Sequence, residues 1–418
     1  MKKNRIKVPF SKPSISKAEE KEVLKVMRSG WLTTGKYTLK FEKEFSDFMN
    51  FVNPSVSDEQ KKEIFQNRKN LSLSNDDVKS LAVNSNTSGM ILAMEACGVK
   101  KGNAIITTPY TFVSTATCAR HLGAEVIFAD IEKDSYNISP QKIEEILKND
   151  SEKKIKAVVP VHIAGNVCNM KKICEIAKKY SVKVIEDAAH SFPSLTEEGY
   201  AGTIGDVGVF SFYATKTITT AEGGMVCTRD ENLLKRMETM RLHGMDRTTW
   251  DRYTSDKASW EYDIIAPGYK FNLPDILSAI GCVQLKKANI LLEKRKKIFQ
   301  KYNEAFKNLD FISLPPDSKG NAMHLYLLNL NLEKLKISRN DFGKHLQDSG
   351  IGISMHFIPL FNFTYWKNLY PNFTPENFPE ADKKGKQTLS LPLWPCMTEK
   401  MIDAVIQAVK ETGEKFHV

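Results

Sequence analysis

The feature that most constrains the fold is a repeated alternation of short apolar segments, typical of β-strands, with longer segments typical of helices. The apolar segments begin at Ser80, Ala104, Glu125, Lys156, Val182 and Val207. This alternation predicts an α/β fold with a mostly parallel sheet and helical crossovers. Because ligands of such sheets bind at the carboxyl ends of the strands, the residues that end each strand are the first candidates for chemistry.

Composition narrows the class of protein. The chain has 418 residues, 41% of them hydrophobic and 26% charged, which predicts a globular protein of two domains. No apolar run approaches the ~20 residues of a membrane span, and no apolar segment follows the basic N-terminus. Seven cysteines, an odd number, indicate free thiols in a reducing compartment. We therefore expect a cytoplasmic protein.

The charge pattern and the spacing of possible metal ligands argue against two further classes, nucleic-acid-binding proteins and metal-binding proteins. The formal net charge of +10 suits an anionic substrate or nucleic acid, but the lysines are dispersed among glutamates. Nucleic-acid binding is therefore not predicted. Cys118 and His121 have ligand-like spacing, but no second pair accompanies them, so no metal site is predicted either.

Lys216 is the foremost candidate residue. It follows the apolar segment Val207–Phe212 and begins a polar loop that ends at Gly224. A lysine is usually a solvated surface residue, and Lys216 alone would be read that way. Asp187, however, ends another predicted strand, where a carboxylate requires a cationic or hydrogen-bonding partner.

Two other segments supply complementary groups. A small polar turn, 84–89, joins a strand to a helix, and such a helix N-terminus binds phosphate or is simply capped. The strand from Ala104 leads into a loop with Tyr110 and Phe112. A lysine, a carboxylate, an aromatic face and a phosphate cup are what a pyridoxal phosphate enzyme needs.

At this point the sequence resembles the DegT/StrS family of pyridoxal phosphate-dependent nucleotide-sugar aminotransferases over nearly its whole length. The motifs that carry the resemblance lie at 8–13, 29–35, 84–88, 109–113, 161–165, 186–190, 211–216, 222–224, 267–275, 356–359 and 389–395. The resemblance implies the fold type I aminotransferase fold. It also implies a homodimer with shared active sites.

The resemblance implies a role for each matching residue. Lys216 would form the imine with the cofactor and carry the proton, and Asp187 would pair with the pyridine nitrogen. His190 would lie near the cofactor hydroxyl and Phe112 would stack on the ring. The phosphate cup would be formed by Thr87, Ser88 and Ser211.

A contact from the neighbouring subunit is also implied. Asn272 would reach the partner's phosphate, although Lys270 is an alternative for that position. The predicted domains are a large cofactor-binding domain, 1–285, and a small α+β domain, 286–418. In the second, we expect strands at 321–330 and 352–357 with a helix at 339–349, and His324 and His356 either near the cleft or structural.

Two segments depart from the family pattern. Residues 53–77 form a polar insertion, and an aromatic stretch at 247–262 contains Trp250, Tyr253, Trp260 and Tyr262. The aromatic stretch is either part of the sugar-nucleotide pocket or an interface.

The implied reaction moves an amino group from an amino acid, expected to be glutamate, to a nucleotide-linked 3- or 4-keto sugar. Two alternatives remain open at this point. One is a non-catalytic regulator that retains the fold, and the other is a fold type I enzyme that acts on amino acids only.

Overall fold

The computed structural model describes residues 6–51, 56–246, 262–318 and 320–418. Its α-helices are Lys17–Ser29, Lys36–Met49, Asp58–Asn70, Asn86–Ala96, Val113–His121, Pro140–Lys148, Met170–Tyr180, Glu231–Arg241, Asp275–Phe306, Arg339–Asp348, Thr364–Leu369, Pro379–Gln387 and Glu399–Lys415. Short 3-10 helices lie at Ile163–Gly165, Leu332–Lys334, Leu360–Asn362 and Pro375–Asn377. In the described ranges no helix is long and apolar enough to cross a membrane.

The strands form one large sheet, one small sheet and a hairpin. They are β1 Lys79–Val83, β2 Ala104–Thr107, β3 Glu125–Phe128, β4 Ile155–Val159, β5 Lys183–Asp187, β6 Leu195–Thr196, β7 Gly199–Tyr200, β8 Val207–Ser211, β9 Gly224–Thr228, β10 Ile312–Ser313, β11 Tyr326–Leu330 and β12 Thr388–Leu391. The seven-stranded sheet has the order β1-β9-β8-β5-β4-β2-β3. Only β9 runs against the others, which confirms the predicted mostly parallel α/β sheet.

The helix Asn86–Ala96 packs very closely on this sheet. A Cβ atom added at Gly89 would lie 2.6 Å from a methyl carbon of Val209 on β8 and 3.0 Å from one of Val226 on β9. Glycine is therefore required for this separation, and the helix N-terminus is held at the edge of the sheet where β8 ends.

The C-terminal part of the chain has its own antiparallel sheet, β10-β11-β12, and its own hydrophobic core. Val8, near the N-terminus, belongs to that core and bridges to Ile351. The helix Asp275–Phe306 is continuous across residues 285 and 286. The division of the chain at that point stays a prediction.

Two predicted strands are shorter than expected, for the same physical reason. The N–H groups of Ala322 and His324 donate to the carbonyls of Gly165 and Ala164 in the first part of the chain, so β11 starts only at Tyr326. In the segment 352–357 only Ser354 forms a β-bridge, and the carbonyl of His356 accepts from the Tyr110 hydroxyl. Both prediction errors arise because backbone groups bond to distant segments instead of neighbouring strands.

The predicted polar insertion contains a helix, Asp58–Asn70, that Arg68 anchors. Arg68 is 1% exposed and donates to the carbonyls of Ser74, Glu198 and Thr203. Of the aromatic stretch at 247–262, residues 247–261 lie outside the described residues, and Tyr262 is exposed.

Candidate active site

Adjacent parallel strands bring the foremost candidates together. Asp187 is the last residue of β5, and it pairs in register with Val209 on β8. The loop that carries Lys216 starts where β8 ends, at the same edge of the sheet. The predicted proximity of Asp187 and Lys216 follows from this topology.

Backbone hydrogen bonds hold the loop that contains Lys216. The Phe212 N–H donates to the Gly223 carbonyl, and the Thr220 N–H donates to the Phe212 carbonyl. The Lys216 side chain is partly exposed, but burial of its amino group lowers its pKa to about 8, with Asp187 acting in the opposite direction. Lys216 is therefore much closer to being a neutral amine at neutral pH than an ordinary lysine is.

Asp187 is buried and held at both carboxylate oxygens. Its Oδ2 accepts from the Thr115 hydroxyl at 2.7 Å. Its Oδ1 accepts from the Asn86 side-chain amide at 3.3 Å and from the Ala189 N–H at 3.2 Å. The sequence prediction missed Asn86 and Thr115, whose only local signals were a capping motif and a helix position.

His190 lies in a buried aromatic cluster. Its ring stacks on Phe357 at 5.8 Å and lies 4.5 Å from the ring of His324. The Ala164 N–H donates to His190 Nδ1, which leaves the proton of the neutral ring on Nε2. Burial, followed by the nearby charge of Lys216, lowers the pKa of His190 well below its usual value.

His324 and His356 also lie close to Lys216. Burial lowers the pKa of both rings, to about 3 for His356, and the charge of Lys216 lowers both further. His356 Nδ1 lies 2.8 Å from the Ser390 hydroxyl, whereas His324 Nδ1 has no hydrogen-bond partner among the described residues. The site therefore contains three histidines that are neutral at physiological pH.

Phe112 is 59% exposed, although it is a large aromatic residue next to a buried cluster. It borders a cavity of about 790 Å³ whose lining also includes His356, Arg120 and Trp366. An exposed aromatic face beside a cavity is a suitable surface for a planar ring.

The helix Asn86–Ala96 presents its N-terminus at this edge of the sheet. Ser85 caps the helix, and the Ser88 hydroxyl lies 2.5 Å from Asn84 Oδ1, so Ser88 takes part in capping. Thr87 is partly exposed and lies in the first turn, where N–H groups have no intrahelical acceptor.

Gly224 and Ser211 lie next to the start of this helix. A Cβ atom added at Gly224 would lie 2.8 Å from the Asn86 backbone nitrogen, so glycine allows β9 to pack closely against the helix N-terminus. Ser211, at the end of β8, is partly exposed, and its hydroxyl accepts from the Tyr213 N–H. Lysine, carboxylate, aromatic face and helix N-terminus together fit pyridoxal phosphate.

Asn272 lies beside the turn that precedes the helix Asn86–Ala96, because it forms a β-bridge with Val83. Its side-chain amide donates to the Thr34 hydroxyl at 2.6 Å, and its oxygen accepts from Lys270 Nζ at 2.6 Å. The two alternatives for the intersubunit contact are therefore hydrogen-bonded to each other. Within the described ranges, no His, Cys, Asp and Glu side chains form a group of three that could hold a metal ion.

Comparisons with known proteins agree with this geometry. The sequence matches the DegT/DnrJ/EryC1/StrS aminotransferase family over residues 13–57 and 73–410. It is 37% identical over 407 residues to the spore coat polysaccharide biosynthesis protein SpsC of Bacillus subtilis, covering 97% of this chain and 96% of that protein. The gap between the two matched ranges, residues 58–72, contains the helix of the insertion.

Solved structures show the same fold. PseC of Helicobacter pylori, an aminotransferase involved in the biosynthesis of pseudoaminic acid, superposes with a TM-score of 0.83 at 28% identity, over 98% of this chain and 100% of that one. The PLP form of Spr1654 from Streptococcus pneumoniae superposes with a TM-score of 0.83 at 27% identity, over 98% of this chain and 99% of that one.

Proposed function

The chain belongs to the DegT/DnrJ/EryC1/StrS aminotransferase family, and we propose that it aminates a nucleotide-linked keto sugar with glutamate as the donor. It is a pyridoxal phosphate-dependent sugar aminotransferase with the fold type I architecture. We place the amination at C3 or C4 of a 6-deoxy sugar destined for surface glycans. The relatives SpsC and PseC support this proposal, since the first is a polysaccharide biosynthesis protein and the second acts in pseudoaminic acid biosynthesis.

The observation that carries the proposal is the pairing of a lysine whose pKa is lowered to about 8 with a buried, immobilised carboxylate. When bound, pyridoxal phosphate supplies an aldehyde and a ring that accepts electrons. Lys216 would hold the cofactor through its amine and, once the donor's amino group has displaced it, would move a proton from the donor's α-carbon to the carbon of the former aldehyde.

The other residues would orient the cofactor and neutralise its charged groups. Asp187 would hold a proton on the pyridine nitrogen, because Thr115 and Asn86 keep its carboxylate in one position. His190 would donate from Nε2 to the cofactor hydroxyl, and Phe112 would cover the ring. The helix N-terminus with Thr87, Ser88 and Ser211 would bind the phosphate.

The cavity beside Phe112 is where we expect the keto sugar to enter. Its volume of about 790 Å³ is adequate for a nucleotide-linked sugar. Arg120, on its wall, could neutralise a phosphate of the acceptor. We propose a cytoplasmic homodimer in which Asn272 or Lys270 completes the partner's phosphate site.

Two measurements test the function. A panel of nucleotide-linked 3-keto and 4-keto sugars is incubated with glutamate, and the products are identified by mass. We expect amination of one class of acceptor, with 2-oxoglutarate formed in equal amount. Turnover of amino acids alone, with no keto-sugar acceptor used, would reject the proposed substrate.

The second measurement concerns the attachment site. Borohydride reduction of the holoenzyme should fix the cofactor on the peptide that contains Lys216. Fixation on another lysine would reject the assignment of Lys216 while leaving the acceptor result intact. Sedimentation that shows an active monomer would contradict the shared site.

A further inference from the structure

His356 is held on three sides, next to the cavity that Phe112 borders. Its backbone carbonyl accepts from the Tyr110 hydroxyl at 2.8 Å. Its Nδ1 lies 2.8 Å from the Ser390 hydroxyl, and its ring stacks on Phe10 with 5.7 Å between the ring centroids. These contacts come from separate parts of the chain, so together they fix the direction in which the remaining ring nitrogen, Nε2, points.

His356 Nε2 is the open end of this ring. It has no hydrogen-bond partner among the described residues and, unlike Nδ1 of His324, it is not shielded from solvent. His356 itself lies in the wall of the cavity of about 790 Å³. Nε2 is therefore accessible to a molecule that occupies this cavity.

The Ser390 hydroxyl determines which nitrogen of His356 carries the proton. Ser390 is fully buried, and its hydroxyl has one hydrogen-bond partner in the described part of the chain, His356 Nδ1. If Nδ1 carried the proton, the buried hydroxyl hydrogen would have no acceptor, which is unfavourable. The hydroxyl therefore donates to Nδ1, and the proton of the neutral ring is on Nε2.

The ring is neutral when it donates this hydrogen bond. Burial, followed by the charge of Lys216, lowers the pKa of His356 to about 3. A neutral imidazole donates from Nε2 without adding a second positive charge beside Lys216. Such a donor is suited to an oxygen that gains negative charge during a reaction.

His356 and Phe112 border the same part of the cavity. Both rings pack against Phe357, with centroid distances of 5.1 Å for His356 and 6.5 Å for Phe112. A planar ring on the face of Phe112, with a substrate beside it, would therefore occupy the space next to His356 Nε2.

The two threonines of the cavity wall are engaged elsewhere. The Thr111 hydroxyl lies 3.0 Å from the hydroxyl of Thr115, and the Thr117 hydroxyl donates to the Val113 carbonyl. The N–H of His356 Nε2 has no such competing partner among the described residues, so it is available to a substrate oxygen.

We propose that His356 is a catalytic residue of the acceptor half of the reaction: its Nε2 donates to the keto oxygen of the sugar, and Ser390 positions the ring. The proposal rests on the proposed function. When the amine that carries the transferred nitrogen attacks the keto carbon, the π electrons of the C=O bond move to the oxygen, where the hydrogen bond stabilises them. The oxygen leaves as water with the two hydrogens of that amine, so no further reactant is needed.

The test measures the two halves of the reaction separately, by single-turnover absorbance of the holoenzyme. The pyridoxal form is mixed with glutamate, and the pyridoxamine form is mixed with the keto sugar that the wild type aminates. His356→Phe keeps an aromatic ring but has no N–H, so we expect it to slow the second half about 100-fold and the first half less than about threefold. Equal slowing of both halves, or a wild-type rate in the second, would overturn the proposal.

Two further variants separate a hydrogen bond from a structural role. His356→Gln keeps an N–H donor at the end of the side chain and should recover at least about tenfold of the loss. His345→Phe changes a histidine that packs on Phe416 and does not line the cavity, and it should leave both halves unchanged. A His356→Gln protein that melts like the wild type but recovers no rate would contradict the role of the N–H group.

Ser390→Ala tests the position of the proton. Without the hydroxyl, Nδ1 can carry the proton and leave Nε2 without a hydrogen to donate, so we expect the second half to slow about tenfold. In a His356→Phe background the same change should have no further effect on that rate. A further loss there would show that Ser390 acts independently of His356 and would overturn its positioning role.

A binding measurement distinguishes this proposal from the proposed function. The borohydride-reduced holoenzyme cannot transfer nitrogen, so calorimetric titration with the keto sugar reports binding alone. We expect His356→Phe to weaken this binding about threefold to tenfold, through loss of one hydrogen bond. If the wild type aminates no keto sugar, the proposed function and this role both fail. If it aminates one, and His356→Phe binds and reacts like the wild type, only the role of His356 is rejected.

Discussion

Lys183 and Lys216 lie at opposite ends of the same sheet, and their environments differ in one decisive respect. Burial acts to lower the pKa of Lys183, but the hydrogen bond and charge of Asp206 outweigh it and raise that pKa. For Lys216, burial prevails over the attraction of Asp187 and lowers the pKa to about 8. Lys183 is therefore held as a cation, whereas Lys216 can act as a neutral amine.

The difference lies in whether the carboxylate contacts the amine directly. Asp206 contacts Lys183 Nζ at 2.7 Å, although it also accepts from the Val184 N–H. Asp187 accepts hydrogen bonds from Thr115 and Asn86 and acts on Lys216 without a close ion pair. A carboxylate in direct contact with a lysine outweighs the effect of burial on its pKa, and a more distant carboxylate does not.

The largest expected effect comes from removing the reactive amine. Lys216→Ala should lower kcat/KM at least about a thousandfold, because both imine attachment and proton transfer are lost. Lys183→Ala, the matched change at the other end of the sheet, should leave turnover within a few-fold of the wild type. Steady-state amino transfer with saturating cofactor measures both, and full turnover by Lys216→Ala would end the proposed mechanism.

The next largest effect is expected from a comparison of the two carboxylates, Asp187 and Asp206. Asp187→Asn should lower kcat about 100- to 1000-fold, because a neutral amide does not stabilise a proton on the pyridine nitrogen. Asp206→Asn should retain most of the activity. Equal losses in the two variants would mean that the contrast between the two ends of the sheet has no catalytic meaning.

A pH titration of the apoprotein directly tests the difference between the pKa values of Lys216 and Lys183. Labelling of Lys216 by a small amine-selective reagent, mapped by mass spectrometry, should rise with pH to a plateau above about pH 8. Below that pH the rate should fall about tenfold per unit, because only the neutral amine reacts. Asp187→Asn should move the midpoint lower still, since the carboxylate favours the ammonium form.

Lys183 provides the reference in the same experiment. Its raised pKa predicts little labelling at pH 8. If Lys183 reacted as fast as Lys216, or if the midpoint for Lys216 were that of a free lysine, the electrostatic interpretation would be wrong.

The smallest effect concerns one hydrogen bond. Thr115→Val removes the donor to Asp187 Oδ2 and should cost about 1.5 kcal/mol of catalytic stabilisation, or roughly tenfold in kcat. Thr228→Val removes an equally buried hydroxyl that donates to the Asp206 carbonyl at the other end of the sheet. The control should lower the melting temperature while kcat stays near that of the wild type.

The sequence was sufficient to predict the elements that depend on local pattern. The alternation of strands and helices predicted the mostly parallel sheet, and the strand that was expected to end at Asp187 does end there. Lys216 and Asp187 could be named as candidates because strand ends of a parallel sheet meet at one edge.

The structural features that could not be predicted from the sequence depend on contacts between distant segments. Nothing local shows that Thr115 reaches Asp187, or that Arg68 closes on carbonyls about 130 residues further along the chain. The early end of β11 at Tyr326 has the same cause, because preceding N–H groups bond to Gly165 and Ala164. Such tertiary contacts override local propensity.

The insertion has a consequence for how this enzyme could change over generations. Its helix, Asp58–Asn70, lies in the gap of the family match and supplies none of the candidate active-site residues. Ile64 and Arg68 are buried, so selection for stability preserves those two positions. The exposed face of the helix is free to vary from one generation to the next under selection separate from that on amino transfer.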